Sequence, residues 1–150
     1  MKPDPPLVLH GIMAEFARHV GPEVQTPFSQ GVFGLGVTML GMIAQEYDRA
    51  AARLVEEDDA IVALFEDATY LLTEGELKER IREELQRPRH ENLRVSALEQ
   101  DNARLRALLI DLHAAVEQLN GDEAVTMEER IWAELQESTR RRHIKSRLAS

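Results

Sequence analysis

The sequence predicts an all-α protein, an up-and-down helical bundle with long helices and a coiled-coil-like segment at residues 95–119. Three observations carry that expectation. Apolar residues recur at three- and four-residue spacing along most of the chain. No stretch alternates as a strand would. Gly21-Pro22, Arg87-Pro88-Arg89 and Asn120-Gly121 separate the periodic runs by short breaks. At 150 residues the chain suits one domain with a real core. We therefore read residues 1–150 as a single helical domain, with helices near 5–20, 27–72, 74–87, 92–119 and 127–147 and a basic tail at 140–150.

The first helix opens at Asp4-Pro5, a capping carboxylate followed by proline in the first turn. Leu9, Ile12, Met13, Phe16 and Val20 give it one apolar face, and Gly21-Pro22 ends it. Glu15 and His19 lie one turn apart and read as a solvated contact rather than an acid–base pair.

The second helix starts at Thr26-Pro27. No residue between positions 24 and 45 is charged. A membrane span needs ~20 predominantly apolar residues, and here Gln25, Thr26, Ser29 and Gln30 crowd one end. The flanking charges, Glu23 and Glu46, are acidic, whereas membrane anchors carry Lys or Arg. Residues 31–44 are therefore expected to be a buried core helix. Gly31, Gly34, Gly36 and Gly41 interrupt it, each costing about 1 kcal/mol relative to alanine, and close approach of a neighbouring helix would explain them. They match neither a dinucleotide fingerprint nor a P-loop. The sharper alternative is a small-molecule or acyl-chain pocket lined by Phe33, Met39 and Met42 on the Gly- and Met-rich helix 28–45.

The short first helix, Gly21-Pro22-Glu23-Val24 and the small-residue helix running into Ile43-Ala44-Gln45-Glu46-Tyr47 resemble a group of small bacterial helical proteins. Those proteins have no assigned function and accompany acyl-CoA dehydrogenase-like or phosphotransferase-like enzymes. The resemblance covers residues 7–50. It implies an accessory role and assigns no catalytic residue.

Tyr47, Ala51, Leu54, Asp58, Ile61, Phe65, Ala68 and Leu72 carry the second helix onward. Thr73 and Glu76 form a capping-box pattern for the third helix, whose stripe is Leu77, Ile81 and Leu85. In the fourth, Leu98, Leu105, Leu112 and Leu119 fall every seventh residue. Val95, Asn102, Leu109 and Val116 interleave with them, so the two series fill the d and a positions of a leucine-zipper-like heptad. In a parallel dimer Arg94 would meet Glu99, and Asp101 would meet Arg106. These eight core positions are the candidate self-association residues. Leu108 and Ala115, both at g, widen the stripe as a globular bundle would. Shifted by 44 residues, Leu54, Asp58, Ile61 and Phe65 overlie Leu98, Asn102, Leu105 and Leu109, so residues 46–72 and 92–119 are expected to run parallel. Thr126 and Glu129 suggest the start of the last helix, with Ile131, Trp132 and Leu135 as its apolar patch.

Composition narrows the chemistry. The 18 basic against 27 acidic residues leave a net charge of -9, which disfavours a protein coating nucleic acid or anionic lipid. The absence of cysteine removes disulfides, thiolate catalysis and cysteine-ligated zinc. With no apolar run after the proline-rich N-terminus to read as a secretory signal, a cytoplasmic protein is expected. No Glu-x-x-His or His-Glu-x-x-His occurs, so neither a metal site nor a cofactor is assigned. Glu56 to Asp59 read as a solvated acidic face, and His113 with Glu117 lacks the nucleophile a catalytic dyad would serve. Arg140, Arg141, Arg142, Lys145 and Arg147 suit a helix C-terminus. Deleting residues 140–150 is expected to leave the fold intact. Pro88 and the acids before it break any basic region that could enter DNA. The function expected is that of a non-enzymatic accessory or adaptor protein. Its expected partner is a second copy or another helical protein; nucleic acid is disfavoured, and membrane contact through residues 31–44 stays as the lesser alternative.

Overall fold

Asp4 opens the first helix as the sequence requires: its Oδ1 accepts the Leu7 N–H at 3.3 Å. The computed structural model describes residues 4–144, and among them are five α-helices and no strand. These are α1 (Pro5–Glu15), α2 (Pro27–Leu71), α3 (Glu76–Leu85), α4 (Val95–Val116) and α5 (Asp122–Arg142). Beyond Glu15 the first helix widens into a π-type turn, closed by the Gly21 N–H on the Phe16 carbonyl. The chain divides into two compact units, residues 1–50 with 143–150 and residues 51–142, and α2 contributes to both.

The first unit is an antiparallel helical hairpin. Thr26 caps α2, its Oγ1 accepting the Ser29 N–H at 3.1 Å, and the Gln30 side chain donates to the Val24 carbonyl at 3.1 Å. Phe33 packs over Gly21, and a Cβ at Gly41 would come within 3.3 Å of the Met13 methyl. That close approach explains Gly41. Gly31, Gly34 and Gly36 face open space. The expectation that residues 31–44 are buried is corrected here: Val32, Leu35, Met39, Met42 and Ile43 are exposed, and of this run only Ala44 is buried. Apolar composition creates a demand for cover without saying what supplies it.

The second unit is an up-and-down four-helix bundle built from the second half of α2 and from α3, α4 and α5. Asp58 meets Asn102 across α2 and α4, and both helices run antiparallel to α5, α4 through Arg106–Ser138 and His113–Trp132, so α2 and α4 run parallel. Glu84 meets Arg104 and Arg80 meets Asp111, so α3 is antiparallel to α4. Glu57 meets Arg142 and Asp67 meets Arg130, so α5 is antiparallel to α2. Phe65, Ile61, Ile81, Leu98, Leu112 and Ile131 are fully buried between them. Each such side chain contributes about 1.5–3 kcal/mol relative to exposure.

The helix boundaries differ from expectation where side chains found other partners. Thr73 does not cap α3. Gly75 holds the cap position without a side-chain bond, and Glu74 instead pairs with Lys78 and Arg82. Residue α5 begins at is Asp122, not near 127, because Gly121 takes the left-handed conformation (φ 109°) that turns the chain. Asp122 and Glu123 then meet the positive end of the helix dipole. Thr126 sits inside the helix and donates to the Asp122 carbonyl. After Pro88 the break is sharp: His90 is left-handed (φ 60°), with its Nε2 bonded to Asp59 at 2.9 Å. The helix ends at Arg142, short of 147, and Lys145 and Arg147 lie outside the described residues.

Candidate interaction surface

An apolar stripe on the first half of α2 is the main surface feature of the first unit. Phe28, Val32, Leu35, Met39 and Met42 follow one another at spacings of four and three residues, the pattern of a helix that seats against another helix. Phe28 is 81% exposed and Leu35 62%. Ile43 and Tyr47 prolong the stripe, and α1 adds exposed Leu7, Val8 and Ile12. Among the described residues, twelve of the eighteen exposed large hydrophobic side chains lie at or before Tyr47. That concentration sets the first unit apart, since scattered exposed leucines are ordinary and contiguous ones are not.

The proposed pocket residues are split by this geometry. Met39 and Met42 lie on the exposed stripe, whereas Phe33 is half-buried against Gly21. Nine residues at 3.6 per turn place Met42 half a turn from Phe33, so the helix points the two side chains apart.

The heptad residues are occupied within their own chain. Leu98, Asn102, Leu105, Leu109, Leu112 and Val116 are buried, together with Leu108; Leu119 is half-buried and Val95 is exposed. Leu105, Leu109, Leu112 and Val116 share one core with Ile61 and Phe65 of α2, Ile81 of α3 and Ile131 of α5. Two of the flanking charges, Asp101 and Arg106, are engaged as well. Asp101 takes Arg104 at 2.7 Å, and Arg106 reaches Glu57 at 3.8 Å and donates to Ser138 at 3.0 Å.

A buried polar cluster crosses this core. Glu57 and Asp58 are almost wholly buried, which corrects the reading of residues 56–59 as a solvated face for those two, whereas Glu56 and Asp59 are exposed. Burial is tolerated because each carboxylate is met. Arg142 Nε and Nη2 donate to the two Glu57 oxygens at 3.0 and 2.5 Å, and Arg53 stands 3.5 Å away. Asn102 donates to Asp58 at 2.8 Å and to Glu57 at 3.4 Å, while its own oxygen accepts from Arg142 at 3.3 Å. The two acids shift in opposite directions. Burial opposes ionisation of Glu57, but the Arg142 hydrogen bond and the charges of Arg142, Arg53 and Arg106 outweigh it and hold its pKa below the ordinary value. Burial pushes Asp58 up, and the Asn102 hydrogen bond offsets only part of that. Neither carboxylate is open to a substrate, so the cluster reads as a register device for the bundle.

Of the pairs weighed from sequence, Glu15 and His19 lie 3.1 Å apart and are exposed. His113 is different. Its ring meets Trp132 of α5 edge-on, with centroids 5.2 Å apart, and its Nε2 is buried without a hydrogen-bond partner, 3.8 Å from Glu117. Sequence reasoning saw His113 and Glu117 on one helix face and had no means of placing α5 beside them. Comparison of the chain with protein-family models, with curated proteins and with solved structures returned no match.

Proposed function

We propose that this protein is a non-enzymatic accessory or adaptor protein that self-associates through the apolar stripe of its first unit. The observation that supports this reading is the exposure of the most apolar stretch of the chain: only 6% of the eighteen-residue window on α2 is buried. Water contact over such a surface is costly at roughly 25 cal/mol per Å². The three-four spacing from Phe28 to Met42 is self-complementary, because a second copy offers the same ridges and grooves. A standard interface takes about 800 Å² from each partner, and the stripe with the exposed face of α1 would supply its apolar centre. The heptad side chains of α4 from Leu98 to Val116 take no part in this reading, being buried already.

One helix among the described residues, α2, is also long and apolar enough to cross a membrane by length and composition. The hairpin argues against that use. With Met13 opposite Gly41 and Gly21 opposite Phe33, Glu15, Arg18 and His19 of the first helix and its π-type extension stand beside the middle of the apolar run. Insertion would carry the Glu15–Arg18 ion pair into hydrocarbon or strip the hairpin apart.

Sedimentation velocity on the full chain, with Val32→Glu and Leu35→Glu as variants, tests the proposal. Concentration-dependent dimers in the parent and monomers in both variants are expected. A parent that is monomeric throughout, and that floats with phospholipid vesicles, would replace self-association with membrane contact.

A further inference from the structure

We propose that His113, Glu117 and Glu128 form a binding site for a divalent transition-metal ion of the zinc class. His113 comes from α4, Glu117 from its C-terminal cap one turn later, and Glu128 from the second turn of α5. One ligand atom from each lies within 4.8 Å of the other two. A zinc ion bound at 2.0–2.2 Å draws its ligands to about 3.4 Å from one another, so closure needs a shift of roughly 1.4 Å. Glu117 supplies that freedom, since its side chain is about half exposed.

The independent pointer is the imidazole. Its Nε2 is buried and makes no hydrogen bond, a condition that a buried polar atom rarely tolerates. Glu117 Oε1 stands 3.8 Å from that nitrogen, too far for a hydrogen bond and well placed for a shared ion. Trp132, one turn beyond Glu128, holds the ring edge-on and fixes its orientation. One imidazole and two carboxylates favour a borderline ion over magnesium or calcium, which take oxygen ligands alone. The two carboxylates neutralise the ion's charge, and three protein ligands leave a position open to water. The site joins the last turn of α4 to the start of α5, so the ion would pin the hairpin that connects them.

Trp132 is the only tryptophan in the chain and reports directly on this site. Co²⁺ titrated into untagged full-length protein should quench its fluorescence, saturating at one equivalent and reversing on addition of Zn²⁺ or chelator. His113→Gln and Glu128→Gln should each weaken the binding by at least about tenfold, while Glu129→Gln should leave it unchanged. Glu128→Gln alters a half-buried acid in the second turn of α5, so it decides the matter even if His113→Gln unfolds. Absence of saturable quenching, or equal quenching in Glu128→Gln and the parent, would overturn the site.

Discussion

The side-chain amide of Asn102 donates to the Asp58 carboxylate of its own chain at 2.8 Å, across the parallel pair α2 and α4. A single asparagine at an a position of a heptad commonly sets the register between two chains. Here it sets the register between two helices of one chain, and Arg142 of α5 joins it. Slipping α4 along α2 by one turn would leave Asp58 buried without its donor, so the pair selects one packing of the bundle over its neighbours.

Asn102→Leu should therefore destabilise the fold without changing its state of association. Two buried carboxylates lose a donor, and leaving such groups unsatisfied costs about 1–3 kcal/mol each. Urea unfolding and sedimentation of the same samples check both halves. Stronger dimerisation with undiminished stability would show that the asparagine serves an interface between chains.

The opposed shifts of Glu57 and Asp58 give the two acids opposite signatures in pH. The folded pKa of Glu57 lies below its ordinary value, so its contribution is present above that value and fades as pH falls through the folded one. Glu74, held at about 2 by Arg82 and Lys78, extends this loss from about 4.5 towards about 2. Asp58 has a raised folded pKa; its ionised form costs stability at neutral pH, and the cost disappears as pH falls through that value. At neutral pH Glu57→Gln should cost about 2–3 kcal/mol, less than a fully buried pair because Arg142 and Arg106 keep some water. It should also flatten the loss in acid. Asp58→Asn should be neutral or stabilising. Urea midpoints measured across the acidic range distinguish the two.

Truncation before Arg140 should weaken the bundle, contrary to what the tail's polarity suggests. Arg142 closes the buried Glu57 and Arg141 pairs with Glu134 at 2.7 Å. The loss should exceed that of Arg142→Ala alone in a thermal or urea melt, because truncation also removes the partly buried Arg141–Glu134 pair. A truncation as stable as the parent would place the cluster's cohesion in Arg53 and Arg106 alone.

Most of the fold was legible in the sequence because helix periodicity and break residues are local signals. The 44-residue offset even placed Asp58 opposite Asn102. What the heptad did not reveal is whose surface it meets, since spacing describes one face of a helix and says nothing of the chain that covers it. Leu108 at a g position pointed towards the bundle, and it is buried there. The capping boxes at Thr73 and Thr126 failed because Gly75 and Gly121, only two and five residues away, set the turns, a local competition that the capping pattern does not weigh. Burial of Glu57 and Asp58 was hidden for a different reason: Asn102 and Arg142, which meet them, lie tens of residues away in sequence. The apolar run after Pro27 was plain to read, but its lack of cover within the chain was not.

Thiol cross-linking tests the central claim, that two copies meet through the first unit and not through the heptads. The chain has no cysteine, so each substitution introduces the only thiol. Leu35 lies midway between Phe28 and Met42, so two copies paired along this stripe bring it near its counterpart in either orientation. A disulfide needs the two Cα atoms within about 7 Å. Mild oxidation should give a covalent dimer for Leu35→Cys and none for Leu98→Cys, whose site is closed inside the bundle. A covalent dimer at Leu98→Cys with none at Leu35→Cys would contradict the account and return the interface to the leucine heptads.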